Sequence, residues 1–575
     1  MAGSIVAASA GQELEVIVKN LFENTVTMRI GNVAAAAGAG HPLDPGESVT
    51  LNTLAAVYAY NTGAVNQSVS VLVNSRAKKM KNNFLHRWLF LLVFIPAMVF
   101  AGSGVTTPNP KLSSDAVQKK LLEVAVSPED FGAVGDGVTN DTDAFAKLGA
   151  RITSLGGGKI TMSPKIYIVG KQTFAGGAGH GYAYKAADIL KIKNCTRPVI
   201  IEGNGAVLKI APGLKFGSFD PTTGAPYSHS MPFTNADFAA DVGSIINVSG
   251  NASVTISGLE LDGNSGNIAL GGQWGDTGYQ RAGDGIYALN NGALHIEDVY
   301  THHHGRDGLM IGYAGATADM PAKPVTLFKV RSEYNARQGL SWVGGVGLTA
   351  TNCKFNHTGK GAFHSAPGAG IDIEAESAVI RKGVFINCEA GNNVGAAMVA
   401  DTGDSADVHF IDSKFYGTTA NAIWPNKPKF TFTRCLIAGG AVHAYTATNE
   451  EDRTKFENCR FSADETFNGI AALGSDAHIA DFSNQNPIFE NTTFVTNQSN
   501  RVLQATSGGV TGATYRNCTM IQNGYVGPAV PRGTFEGINT ITMITGVADL
   551  SSSTNNGKLL ATGKVVGIKV SNSGR

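Results

Sequence analysis

The run Gly370-Ile371-Asp372-Ile373-Glu374 holds the sharpest arrangement for chemistry in this chain. Along a strand successive side chains alternate between faces, so Ile371 and Ile373 share one face while Asp372 and Glu374 share the other. If the isoleucines fill a core, both carboxylates point outward, with Cα atoms about 6.6 Å apart. No cation stands beside them in the local sequence, so the exposed pair brings no evident stability. Two carboxyl groups so placed can hydrolyse a glycosidic bond: one protonates the leaving oxygen, and the other attacks or activates water. The spacing fits both the retaining and the inverting range.

A glycine-apolar corner recurs around this run as Asp284-Gly-Ile, Asp307-Gly-Leu, Gln338-Gly-Leu, Ala369-Gly-Ile and Val394-Gly-Ala. Aligning the corners puts Tyr287, Met310, Ser341 and Asp372 in one outward column. Because Gln, Ala and Val share their place, Asp284 and Asp307 also read as plain turn residues. Just before the corners Arg306 matches Arg337, and His304 matches Asn335. Guanidinium groups on adjacent rungs lie within about 5 Å and require an anion. Asp307, Glu333 or Asp372 supplies it in a structural network; the carboxylate of an acidic sugar supplies it in a binding site.

His302-His303-His304 has the composition of a metal cluster, but three consecutive residues of a regular strand cannot all converge on one ion, so no metal is read here. His304 reads as a general base or a sugar hydrogen-bond donor, with an exposed turn as the plain alternative. Tyr313, Trp342, Trp424 and Tyr445 are either stacking platforms for sugar rings or buried aromatics. An insertion over 356–369, with His357, Lys360 and His364, is expected to wall a groove beside Asp372, and 213–240 to form a second wall. The candidate catalytic residues are thus Asp372, Glu374, Asp307 and His304. The candidate substrate contacts are Arg306, Arg337, Glu333, Trp342, His364, Tyr287 and Tyr313, and no cofactor is implied.

The elements that position these residues follow from a repeat. A strand-ending tetrapeptide recurs from Ser257-Gly-Leu-Glu through Glu297-Asp-Val-Tyr, Arg331-Ser-Glu-Tyr and Asn352-Cys-Lys-Phe to Asn517-Cys-Thr-Met, at intervals of 21 to 40 residues. Such spacing suits a coil of short strands with insertions in its turns. Cys353, Cys388, Cys435, Cys459 and Cys518 share one column with Ser, Thr and Gly, which reads as small buried residues stacked rung on rung rather than as disulfides. About a dozen rungs make a rod of about 60 Å. A chain of 575 residues is too long for one ordinary core, and 71 glycines favour this turn-rich architecture. Lys and Arg balance Asp and Glu at 45 each, so no basic field argues for nucleic acid.

The repeat is preceded by Asp130-Phe-Gly-Ala-Val-Gly-Asp136-Gly-Val-Thr139-Asn-Asp141-Thr142-Asp-Ala-Phe145, then Gly156-Gly157-Gly158-Lys-Ile160 and Tyr167-Ile-Val. Thr139 to Thr142 read as a helix N-cap cluster, and Ala144, Phe145, Leu148 and Ile152 as the apolar face of a helix that closes the open end of the stacked sheet. This stretch resembles the opening signature of the pectate-lyase-like family of right-handed parallel β-helices, which includes phage tailspike depolymerases. The resemblance implies an all-β solenoid, a homotrimer that binds and cuts bacterial surface polysaccharide, and an N-terminal module attached to other virion tail or capsid proteins. The chain lacks the paired-aspartate, Gly-His-Gly and Arg-Ile-Lys pattern of polygalacturonases and the clustered calcium-binding aspartates of pectate lyases. Fold therefore transfers from the family, and catalytic residues do not.

The expected organisation is a small β module over 1–75, a stem or signal-like segment and linker over 76–129, a cap over 130–200, the solenoid over 201–530 and a short β element over 531–575. In the second of these, Arg76, Lys78, Lys79, Lys81 and Arg87 precede an apolar run over 88–101. It reads as a helical stem buried between three copies, as the secretory signal of an enzyme starting at Met80, or as a membrane anchor. The leading function is a virion tailspike that hydrolyses capsule or lipopolysaccharide. The alternatives are a lyase using His304 or His364 with Arg306 or Arg337, a spike that binds without cutting, and a secreted bacterial enzyme.

Overall fold

The computed structural model describes the strands within 2–91 and, beyond them, residues 125–440, 443–474, 479–480, 485–500, 512–529 and 531–568. The chain divides into two compact units, Met1–Lys111 and Leu112–Arg575. The first contains two four-stranded antiparallel sheets, ordered Ala2–Val6, Val57–Asn61, Met28–Gly31, His41–Leu43 and Ser48–Thr53, Glu13–Asn20, Val69–Arg76, Leu89–Leu91. Leu89–Leu91 lies within the run expected to form a helical stem and is instead a strand, antiparallel to Val71–Val73, because an open edge there offers backbone partners. The rest of that run lies outside the described residues.

In the second unit, the helix Thr142–Ser154 buries Ala144, Phe145, Leu148 and Ile152 against the first rungs. Gly149 permits the contact, since a Cβ there would stand 2.6 Å from the Lys191 carbonyl oxygen. The expected N-cap cluster works differently. Asp141 makes no cap bond to the helix; its carboxylate turns back to accept from the amides of Val134 and Gly135 at 2.7 and 3.1 Å.

The solenoid is a parallel β-helix with three sheet faces. Two of them belong to one 27-stranded sheet, which bends within each rung, and the third begins as an eight-stranded parallel sheet. The bend is a single left-handed residue: Asn352, Asn387, Asp412, Arg434, Asn458, Asn491 and Asn517 have φ of 50 to 57°. Asn and Asp tolerate that region best among residues with a Cβ. The next residue in each rung points inward, so Cys353, Cys388, Ser413, Cys435, Cys459, Thr492 and Cys518 stack as a buried column, the cysteines free. In the first three rungs the buried position is Leu259, Val299 and Val330, and the tetrapeptide alignment, which placed Gly258, Asp298 and Ser332 there, is corrected. Large aliphatics replace the small residues in those rungs, which erased the pattern the alignment followed.

A second inner column stacks Phe385, Phe410, Phe432, Phe456, Phe489, Tyr515 and Phe535, with ring centroids 4.7 to 5.4 Å apart. That separation is the rung spacing itself. The coil also runs past residue 530: Gly533–Glu536, Ile538–Met543, Thr554–Asn555 and Lys558–Thr562 continue the same sheet, so the described residues 531–568 hold further rungs rather than a separate element.

Candidate functional site

The eight-stranded face runs Leu190–Lys193, Ile246–Ser249, Ile286–Leu289, Asp307–Gly312, Gln338–Trp342, Ala369–Ile373, Met398–Ala400, Ile423–Pro425. Its register places Lys191, Asn247, Tyr287, Met310, Ser341, Asp372, Val399 and Trp424 in one outward column. Tyr287 to Asp372 follow the order read from the glycine corners. Ile371 and Ile373 lie fully buried in the core, as the alternation requires.

Asp372 departs from the sequence reading in one respect: it faces outward, yet it is only 5% exposed. Gln338, from the adjacent strand, accepts from the Ala369 amide through Oε1 at 3.1 Å, which turns its Nε2 to donate to Asp372 Oδ2. Burial, and then the charge of Glu374, push the Asp372 carboxyl up to about 8, against the pull of Arg337. The result is a carboxylic acid that stays protonated at neutral pH beside a half-buried second carboxyl group.

Arg306 and Arg337 come together as their matched positions require, and the anion between them is Asp307. Its Oδ2 lies 3.6 Å from Arg306 Nε and 3.2 Å from Arg337 Nη1. Asp284, one rung before, also faces Arg306 Nε at 3.6 Å, accepts from the Asp307 amide at 3.3 Å, and is held by Ser244 Oγ at 3.2 Å. Burial first, with the Asp307 charge adding to it, raises Asp284 to about 6 in spite of Arg306. Asp307 Oδ1, Arg306 Nε and Arg337 Nε remain buried without a hydrogen bond, so this is not a closed ion-pair network. Asp284 and Gln338 were visible at the corners, but nothing in their residue types marked them as partners of Arg306 and Asp372.

The other candidates lie elsewhere. His304 is 1% exposed and points into the coil, its Nε2 3.1 Å from the Leu261 carbonyl oxygen and 2.8 Å from Thr301 Oγ1. Burial pushes it down to about 3, and it bridges two rungs instead of meeting a substrate. Glu333 belongs to the neighbouring sheet face, paired with Arg331 at 2.7 Å. Trp342 is a core residue, 1% exposed, with Nε1 donating to the Gly344 carbonyl at 3.0 Å, because it occupies an inward register position. Tyr313 follows the far end of its strand, with the Lys323 ammonium 5.9 Å from its ring centroid. Trp424, in the Asp372 column, has one face covered by His443 at 3.9 Å.

His364 is exposed on the insertion 356–369. The insertion reaches back to the earlier rungs, where Phe363 packs on Phe216 and Tyr279 at 5.8 and 5.1 Å, and Ser365 Oγ accepts from the Tyr279 amide at 2.9 Å. The insertion 213–240 contributes Lys215–Ser218 and Ala239–Ala240 to a five-stranded side sheet with Gln172–Phe174, Tyr184–Ala186 and Ala269–Leu270. At that end of the molecule an open cavity of about 480 Å³ is lined by Lys185, Lys191, Asp188 and Asp241, so it opens onto the first rung of the Asp372 column.

Residues 370–542 match the family described as Right handed beta helix region. No curated protein matches the sequence. Among solved structures the chain is similar to the A-module of the Azotobacter vinelandii mannuronan C-5 epimerase AlgE4, at 13% identity and a TM-score of 0.34, covering 77% of this chain and 100% of that one. It is similar to the tailspike protein gp49 from Acinetobacter baumannii bacteriophage Fri1, a capsular polysaccharide depolymerase, at 12% identity and 0.32, covering 77% and 64%. It is also similar to PfbA, a surface adhesin of Streptococcus pneumoniae, at 14% identity and 0.32, covering 77% and 91%.

Proposed function

We propose that this parallel β-helix is a virion tailspike that hydrolyses a bacterial surface polysaccharide, working as a homotrimer attached to the virion through residues 1–75. The observation that carries the reading is Asp372. A carboxyl group held protonated up to about pH 8, on the outward column of a sheet face and next to Glu374, has the state a general acid needs. Asp372 protonates the glycosidic oxygen as the bond breaks. Glu374 then takes the proton of the attacking water or forms the glycosyl intermediate, according to the separation of the two carboxyl groups. Tyr287, on the same column, and the Arg306–Asp307–Arg337 cluster at its edge hold the sugar chain. The tailspike assignment rests on the resemblance of 130–170 to that family.

A lyase is the second reading, and the paired arginines favour it because they suit a uronate. His304 does not serve it, being buried without a path to substrate, which leaves His364 as its base. The test is release of reducing ends from a panel of acidic and neutral bacterial polysaccharides, read together with the ultraviolet absorbance of an unsaturated sugar. Hydrolysis predicts reducing ends without that absorbance, lost by at least about 100-fold in Asp372→Asn and in Glu374→Gln. Absorbance with reducing ends moves the assignment to the lyase. Activity unchanged in both variants refutes the acid pair, and silence across the panel leaves a spike that binds without cutting.

A further inference from the structure

Across the turn from Asp307, on the second face of the large sheet, two imidazoles meet. The strand Leu294–His302 ends at His302, and His303 takes φ 55°, which folds its ring back until the two Nδ1 atoms stand 2.7 Å apart. Asp262 pairs with His302 on the adjacent rung, its Oδ1 3.8 Å from His302 Nδ1. One ligand atom from each of the three residues lies within 4.8 Å of the others. The left-handed turn removes the premise on which the sequence excluded metal: only His304 continues into the coil.

The surroundings set the protons. His302 Nε2 faces Glu260 Oε1 at 3.3 Å. A carboxylate only accepts, so Nε2 carries the hydrogen and Nδ1 presents its lone pair to His303 and Asp262. An outer carboxylate on the far nitrogen is how metal-bound histidines are oriented. Lys209 Nζ holds the other Asp262 oxygen at 2.7 Å, and Oδ1, facing the histidines, accepts from the Asn264 amide at 2.7 Å, which leaves it one lone pair for an ion. The rings are clamped by stacking: His302 on Tyr300 at 4.2 Å, His303 on Tyr334 at 5.1 Å, and Tyr334 on His357 at 4.5 Å.

We propose that Asp262, His302 and His303 bind a divalent transition-metal ion of the zinc type. Two imidazole nitrogens and one carboxylate oxygen suit zinc over calcium or magnesium, and three protein ligands leave a fourth position for water. Without metal, His303 Nδ1–H donates to His302 Nδ1; binding moves that proton to His303 Nε2. The nitrogens then part by about 0.6 Å, from 2.7 Å toward the ~3.3 Å separation that bonds of ~2.0–2.1 Å impose in a tetrahedral site.

The full-length protein, stripped with chelator, is titrated with cobalt(II) and then zinc(II). One equivalent of cobalt should produce visible ligand-field absorption that zinc displaces, and zinc should raise the melting temperature. His303→Asn removes the imidazole from a backbone position that Asn tolerates; it should abolish the absorption and weaken zinc at least about tenfold, and Glu260→Gln should weaken it in the same direction. His357→Phe preserves the ring stack and should bind as wild type. Absence of stoichiometric binding by the wild type, binding unchanged in His303→Asn, or loss in His357→Phe overturns the proposal.

Discussion

Asp372 is neutral for a reason that also makes it a pH probe. Its ordinary value is 3.8 and the folded value about 8, so between those limits the folded chain keeps a proton that the unfolded chain releases. Stability attributable to this group is therefore full below about pH 3.8 and declines as the pH rises from there to about 8, by up to about 1.4 kcal/mol per unit. Asp372→Asn should remove that slope, read as the melting temperature from pH 5 to 8, while it removes cleavage. His304 provides the contrast at the same scale. Replacing it with Ala removes the ring that faces the Leu261 carbonyl and leaves the Thr301 hydroxyl with the Gly308 carbonyl at 3.2 Å, and should cost about 1–3 kcal/mol in denaturant unfolding. Whatever activity survives should keep its KM, because the ring bridges rungs and does not face the column.

The element that decides register is the left-handed bend. Each bend turns the strand from one sheet face to the next and sends the following residue inward, so an error there misplaces a whole rung. Asn458, at φ 55°, is a direct test. Asn458→Gly should be nearly neutral, whereas Asn458→Val should lower stability by about 1–2 kcal/mol, measured as a shift in denaturant midpoint. Four of the glycine corners were legible because they keep a constant offset on the eight-stranded face, and they aligned Tyr287, Met310, Ser341 and Asp372 as the structure has them; the fifth, at Val394, falls two residues out of register, since Asp372 pairs with Val399. The bends of the first rungs were not, because Gly258, Asp298 and Lys329 share no residue type.

For the molecule as a whole, the proposed trimer has a direct consequence. Sedimentation of the full-length protein should give three times the mass of the chain, unchanged on dilution, and a monomer would remove the tailspike assembly from the proposal while leaving the acid pair intact. Among the described residues no helix is long and apolar enough to cross a membrane. The coil from Val199–Ile210 to Lys558–Thr562 is built by repetition, so its two insertions stand out as additions that serve something other than the core. They meet through Phe216 and Phe363, with Tyr279 packed against both rings.

By itself the sequence determined that this chain coils through short repeated strands, that five of its six cysteines stack inside, and that Asp372 faces outward on a defined column, because alternation and repeat length are local properties; the parallel β-helix followed from the resemblance of 130–170. Tertiary structure alone decided how each polar group is solvated. Asp372 is covered by Gln338 from another strand, His304 turns inward to a carbonyl one rung away, and Trp342 fills the core. His302 and His303 converge through one positive φ. Each outcome depends on contacts between residues 20 to 45 positions apart or on a single backbone torsion, and composition and spacing carry neither.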